Sequence, residues 1–173
     1  MTDWRLRRAS SADAAAVAMV AQASFLETFA GILAGADIVA HCARNSSPAS
    51  FGDWANDAAS VVTLAEHPEG AAPVGYTLLV APELPLETYP SDIELRRIYT
   101  LQLAQGSGLG RALMSRAIDD ARLLGRTRLL LGVYGGNVRA HAFYERCGFA
   151  VAGQRRYRVG ETLHDDLIYA RTI

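Results

Sequence analysis

Cysteine is scarce in this chain of 173 residues. Cys42 and Cys147 are the only two, with no disulfide framework around them and no partner at metal-ligand spacing. A reducing compartment is the simplest expectation, with both thiols as buried bystanders. A bias of charge is missing as well: 17 Lys and Arg stand against 18 Asp and Glu, giving a formal net charge of −1 and a pI near 6.4. Such a chain has no global attraction to nucleic acid or to an anionic membrane surface. The local cluster Arg5, Arg7 and Arg8 reads as a solvated strand edge. No apolar run approaches the ~20 residues of a membrane span, and Met1-Thr2-Asp3-Trp4 lacks an apolar signal core. A soluble, cytoplasmic protein is expected. His41, His67 and His141 show neither paired metal spacing nor a nucleophile, so they are expected at the surface or half-buried, and no metal is expected. Internal repeats and low-complexity linkers are also absent. What remains is half apolar by composition, enough for one compact, enzyme-sized domain over 1–173.

Along the chain, alternation from Trp4 to Ala9 predicts a first strand, and Ser10-Ser11-Ala12-Asp13 supplies helix-capping chemistry before an alanine-rich helix to Ala23 or beyond. Breaks at Gly31–Gly35 and Asn45–Pro48 divide the following stretch into two or three short helices. Ser60–Ala65 and Val74–Ala81 form a predicted hairpin. Pro82, Pro85 and Pro90 then force an exposed connection, of the kind that often borders a substrate site. A strand over Ile93–Leu101, a helix from Leu109 that ends at Gly125, a continuously apolar strand over Arg128–Tyr134 and a helix from Asn137 to Arg146 follow. Phe149–Val159 and His164–Ala170 close the chain as a strand pair with its turn at Gly160-Glu161.

Between the strand ending at Leu101 and the helix that follows lies Gln105-Gly106-Ser107-Gly108-Leu109-Gly110-Arg111-Ala112. Alternate glycines at a helix start expose unpaired backbone N–H groups at the positive end of the helix dipole and let a phosphate oxygen approach them. A Walker loop would need Lys-Ser/Thr after the last glycine, where Arg111-Ala112 stand. A dinucleotide fingerprint would need a third glycine at 111 or 113, where the chain has Arg and Leu. The remaining pattern, Gln-x-x-Gly-x-Gly at 105–110, resembles the pyrophosphate loop of the GNAT N-acetyltransferase family.

Further segments are similar to that family. Glu94-Leu95-Arg96-Arg97-Ile98-Tyr99-Thr100-Leu101 resembles its fourth strand, with Glu94 eleven residues before Gln105. Asn137, Ala140, Phe143-Tyr144 and Gly148-Phe149 match its Asn-x-x-Ala-x-x-Phe-Tyr…Gly-Phe block. The resemblance covers the whole chain, most closely residues 92–170, and implies an α/β (α+β) GNAT fold. That fold is a mixed, mostly antiparallel sheet of six to seven strands whose fourth and fifth strands splay, flanked by about four helices. It implies acetyl-CoA as co-substrate, its pantetheine paired with the strand backbone at Ile98, Tyr99 and Thr100. The pyrophosphate would rest on the loop of Gln105, Gly106, Ser107, Gly108, Leu109, Gly110, Arg111 and Ala112. Asn137 would either bond the cofactor arm or cap its helix, or do both. Arg139 or Arg146 could meet the 3′-phosphate of CoA.

Acetyl transfer needs an attacking neutral amine and a proton for the departing thiolate. By position Tyr144 matches the family's acid, and its alternative is packing, as expected of Phe143. Glu94 matches the frequent general base; its alternative is an exposed carboxylate paired with Arg96. Glu27-Thr28-Phe29, Ile93-Glu94…Arg97-Ile98-Tyr99, Leu131-Gly132-Val133-Tyr134 and the tail Tyr157–Glu161…Asp166–Ile168 together are most similar to the bacterial spermidine/spermine acetyltransferases, from which the chain departs at Tyr134-Gly135-Gly136 and in its alanine-rich first helix. This similarity implies a small cationic amine acceptor, with Glu27, Asp37, Glu83, Glu87, Asp92 and Glu94 as carboxylates about its mouth. His164, Asp165 and Asp166 would either line that pocket or form a turn. Acetylation of a protein or peptide amine, or a non-catalytic acyl-CoA-binding module, are the other readings. The resemblance also implies a possible homodimer through an exposed last-strand edge.

Overall fold

The computed structural model describes residues 3–173. Its strands are β1 (Arg5–Arg8), β2 (Val61–Glu66), β3 (Pro73–Val80), β4 (Asp92–Thr100), β5 (Arg128–Tyr134), β6 (Ala150–Val159) and β7 (Thr162–Thr172). They form one seven-stranded sheet in the order β1-β2-β3-β4-β5-β7-β6. The helices are α1 (Ala14–Phe29), α2 (Gly35–Asn45), α3 (Pro48–Asn56), α4 (Leu109–Leu123) and α5 (Val138–Arg146). All strand pairs are antiparallel except β4 with β5. No helix among the described residues is long and apolar enough to cross a membrane.

Two apolar layers hold the sheet. On one face Ile93, Leu95, Leu129 and Leu131 pack with Met114, Ala117 and Ile118 of α4 and with Tyr144 of α5. On the other, Val62, Leu64, Tyr76 and Leu78 pack with Val17, Ala18 and Ala21 of α1 and Phe51 of α3. The alanines are the reason α1 lies so close: small side chains bring its backbone against the strands. Each fully buried leucine contributes about 1.5–3 kcal/mol over an exposed one.

Two irregularities of β4 shape everything downstream. Its parallel pairing with β5 lasts only from Asp92 opposite Arg128 to Glu94 opposite Leu130. Beyond Glu94 the strands part, and β5 continues with β7 alone as far as Tyr134 opposite Asp166. The ion pair of Arg128 with Asp92, at 2.6 Å and with the carboxylate buried, closes the apex of this fork. The guanidinium holds the Asp92 carboxyl below the usual carboxylate range, offsetting the cost of its burial. The second irregularity is a bulge: Leu78 pairs with Arg97 but Leu79 pairs with Leu95, so Arg96 is an extra residue.

Some expectations change. β7 is not an edge; it lies between β5 and β6, and the outer strands are β1 and β6, so pairing of copies through the last strand has no free edge to use. Arg7 is not simply solvated, because it bridges Asp13 and Glu66 at 2.8 Å each, which ties β1 to β2 and to the turn before α1. Asp13 also accepts from the Ser10 amide at 2.8 Å, closing the capping motif.

Candidate active site

The fork opens into a cleft of about 1340 Å³ that runs through the sheet, lined by α1, α2, β4, α4, α5, β6 and β7. Its first chamber lies on the α4 and α5 side. There β4 offers one unpaired backbone edge, because β5 has departed after Glu94. Unpaired N–H and C=O groups on such an edge suit an extended, amide-bearing ligand. Gly108 caps α4 with φ +90, in the left-handed region that glycine enters without strain. The amides of Gly110 and Arg111 lie in the first helical turn, where no intrahelical acceptor exists, and both residues line the cleft.

Other loop residues are occupied. The Ala112 amide donates to the Gly108 carbonyl at 3.1 Å, closing the first turn of α4, while the residue itself lines the cleft. Ser107 donates its hydroxyl to the Ala104 carbonyl at 2.5 Å, and the Leu109 side chain is fully buried in the core; neither side chain lines the cleft. Gln105 lines it, and its carbonyl oxygen accepts from Arg139 at 2.6 Å. Asn137 also lines it while capping α5, accepting from the Ala140 amide at 3.1 Å. Arg111, Arg139 and Arg146 border this chamber without a carboxylate partner among the described residues. The sequence contains no lysine, so every one of these side-chain cations is a guanidinium.

Between the chambers stand Glu94 and Tyr144. Glu94 occupies the last paired rung of the fork and is only 3% exposed. The expected pairing with Arg96 is present, at 3.2 Å, but the expected exposure is not. The Glu83 amide donates to the same carboxylate at 2.9 Å, pinning the proline-rich connection over the cleft. Tyr144 reaches the cleft from α5, packed edge-on against Phe143 and Phe149. Its hydroxyl has no hydrogen-bond partner among the described residues, and burial pushes its pKa up, so it keeps its proton at neutral pH. Phe143 packs, as expected, with Gly110 passing close to its ring.

The second chamber is made of side chains. Phe29 lines it as expected, near Tyr134. Glu27 does not: its carboxylate accepts from the Gln102 amide at 2.9 Å outside the cleft. Of the other carboxylates expected at the mouth, Glu83 and Glu94 line the cleft, whereas Asp37, Glu87 and Asp92 do not. Tyr99 faces this side, stacked on Tyr76 with ring centroids 6.0 Å apart. His164 and Asp166 do line it. Asp166 is 5% exposed and pairs with Arg155 at 3.4 Å, while burial pushes its pKa up. Gly132 makes room for that pair, since a Cβ there would stand 2.6 Å from the Arg155 guanidinium.

Sequence reasoning missed several residues of this chamber: Arg97, Trp54, Arg155 and His41. The doublet Arg96-Arg97 inside an otherwise apolar strand was the available signal. His41 stacks on Phe25 at 4.2 Å, and burial, reinforced by the charges of Arg97 and Arg44, pulls its pKa down to about 4. It is therefore uncharged at neutral pH. No group of three or more His, Cys, Asp or Glu among the described residues could hold a metal ion.

Comparison with known proteins agrees with this architecture. Residues 34–149 match the acetyltransferase (GNAT) family. Uncharacterized N-acetyltransferases of Mycobacterium bovis and Mycobacterium tuberculosis are each 30% identical over 161 residues, covering 93% of this chain and 98% of theirs. A mycothiol acetyltransferase of Beutenbergia cavernae is 46% identical over 72 residues, which is 39% of this chain and 24% of that protein. Among solved structures, the PaiA N-acetyltransferase of Thermoplasma acidophilum, in complex with coenzyme A, superposes with a TM-score of 0.81 at 19% identity, covering 99% of both chains.

Proposed function

Since the chain belongs to the GNAT family and is an acetyl-CoA-dependent N-acetyltransferase, we propose that it moves the acetyl group directly onto the primary amine of a small molecule held in the second chamber. The single observation that carries this reading is that Glu94 and Tyr144 line one cleft, from β4 and from α5.

In this reading the pantetheine adds to the free edge of β4 at Ile98, Tyr99 and Thr100. The amides of Gly108, Gly110 and Arg111, with the guanidiniums of Arg111, Arg139 and Arg146, take the phosphates. The amine lone pair attacks the thioester carbonyl, a C–N bond forms and the C–S bond breaks. Glu94 takes the proton that the amine loses, directly or through a water. Tyr144, protonated at neutral pH, gives one to the departing thiolate.

A small acceptor is supported by the tether from the Glu83 amide to Glu94, which holds the start of the proline-rich connection against the cleft, where Glu83 and Pro85 line it. A polyamine is less well served. Glu83 and Glu94 are both committed to Arg96, and Asp166 is committed to Arg155. The family-wide part of the proposal is tested by an acceptor screen over amino acids, diamines, aminoglycosides and peptides, read as free thiol. Thiol release above the acetyl-CoA blank with at least one small amine is expected. Release with peptides alone would overturn the small-acceptor reading, and calorimetric acetyl-CoA binding with no release for any amine would favour a non-catalytic binding module.

A further inference from the structure

The arginines of the cleft divide by what neutralises them. In the second chamber Arg96 meets Glu83 and Glu94, Arg155 meets Asp166, and Arg156 meets Asp165. Arg97 meets no carboxylate among the described residues. In the first chamber the arginines without a carboxylate, Arg111, Arg139 and Arg146, line the cleft where the proposal above places the phosphates. By the same logic, the lone guanidinium of the second chamber marks an anion carried by the acceptor. We propose that Arg97 binds a carboxylate of the acceptor, and that the acceptor is therefore an amino acid rather than a polyamine. The inference rests on the small-amine reading above.

The backbone supports it. Strand residues alternate faces, so Glu94 and Arg97, three apart, would ordinarily point to opposite sides of the sheet. The extra residue Arg96 resets that alternation. Leu95 and Ile98 consequently both pack on the α4 side, and Tyr99 and Leu101 pack on the α1 side. Glu94 and Arg97 then share the acceptor face, a base for the amine and a cation for the carboxylate on one strand.

Arg97 is also held in place. Its guanidinium lies over Trp54 at 5.1 Å and Phe51 at 5.7 Å, and it donates to the Ser46 hydroxyl at 3.3 Å. Aromatic faces orient the planar group while leaving its charge largely unneutralised. His41, the nearest titratable neighbour on α2, is neutral rather than anionic.

The test uses acceptors matched in pairs: methionine against methioninamide and phenylalanine against phenylalaninamide, in which an amide replaces the carboxylate, and 4-aminobutanoate against 1,4-diaminobutane, in which a second ammonium replaces it. Steady-state kcat/KM is compared for the wild-type enzyme, Arg97→Gln and Arg97→Lys. Calorimetric binding of the same compounds to the CoA-loaded proteins provides a readout independent of turnover. At least one carboxylate member should exceed its partner by about 10- to 100-fold in the wild-type enzyme, the range of a charge-assisted hydrogen bond. Arg97→Gln should bring that ratio close to one, chiefly through KM, while acetyl-CoA affinity is kept; Arg97→Lys should recover part of the ratio. Wild-type preference for the diamine or the amides, or an equal loss on both members of each pair in Arg97→Gln, would overturn the proposal. Carboxylate-dependent binding without turnover of any compound would instead count against the acetyl-transfer reading and leave the role of Arg97 standing.

Discussion

The two chambers of the cleft are made from different material. The cofactor side consists of backbone: the open edge of β4, a glycine held at φ +90, and first-turn amides of α4. The acceptor side consists of side chains delivered by α1, α2, β4, β6 and β7, and most of its charges already answer one another. A ligand shared by a whole family can be bound by groups that every residue carries. A ligand peculiar to one enzyme needs side chains, and those can change without disturbing the other half.

Substitutions can break this division, beginning where the chambers join. Tyr144→Phe and Glu94→Gln should each lower kcat by about 100-fold or more, in the lower part of the range for a general acid or base. Acetyl-CoA affinity should stay near the wild-type value in both, and unchanged turnover in Tyr144→Phe would reject it as the acid. Next, Arg128→Leu removes the clamp at the apex of the fork and strands the buried Asp92. It should cost about 3 kcal/mol, a melting point lower by roughly 6–12 °C for a chain of this size. The cofactor half alone should respond to Gly108→Ala. A Cβ there meets nothing within 4 Å, so the change isolates the backbone strain of a left-handed residue, about 1–2 kcal/mol. Acetyl-CoA binding by calorimetry should weaken roughly tenfold, with the ratio between acceptors unaltered.

A further effect belongs to pH and to the acceptor half. His41 takes up a proton below about 6.5 when unfolded but resists protonation down to about 4 when folded. The unfolded chain therefore binds more protons in that window, and stability falls as pH drops through it. Denaturant titrations of His41→Gln between pH 6.5 and 4 should show a flatter decline than the wild-type protein; parallel curves would remove His41 as a cause.

The same division explains what could be read from the sequence. Gln105–Gly110 and the continuously apolar strand 128–134 encode backbone behaviour directly, through φ freedom and burial on both faces. Those patterns led to the glycine loop at the start of α4 and to β5 as an interior strand, while the splay of β4 and β5 was implied by the family resemblance. Asn137 was legible as a cap for the same reason, since the cap lies three residues from its donor. The acceptor half depends on register. Nothing in Glu94-Leu95-Arg96-Arg97 announces a bulge, and simple alternation would put Glu94 and Arg97 on opposite faces. Glu27 failed for a related reason: its partner is the amide of Gln102, 75 residues away, a contact that local pattern does not reveal. The place of β7 inside the sheet was likewise hidden, because a hairpin of β6 and β7 can dock through either strand.

The all-arginine character of the cleft has a chemical side apart from recognition. A thioester is an acylating agent toward any free amine that reaches it, and a lysine in the cleft would offer one. A guanidinium stays protonated throughout the pH range in which proteins fold and has no lone pair to attack with. With no lysine anywhere in the sequence, no side-chain amine of the chain competes with the acceptor for the acetyl group.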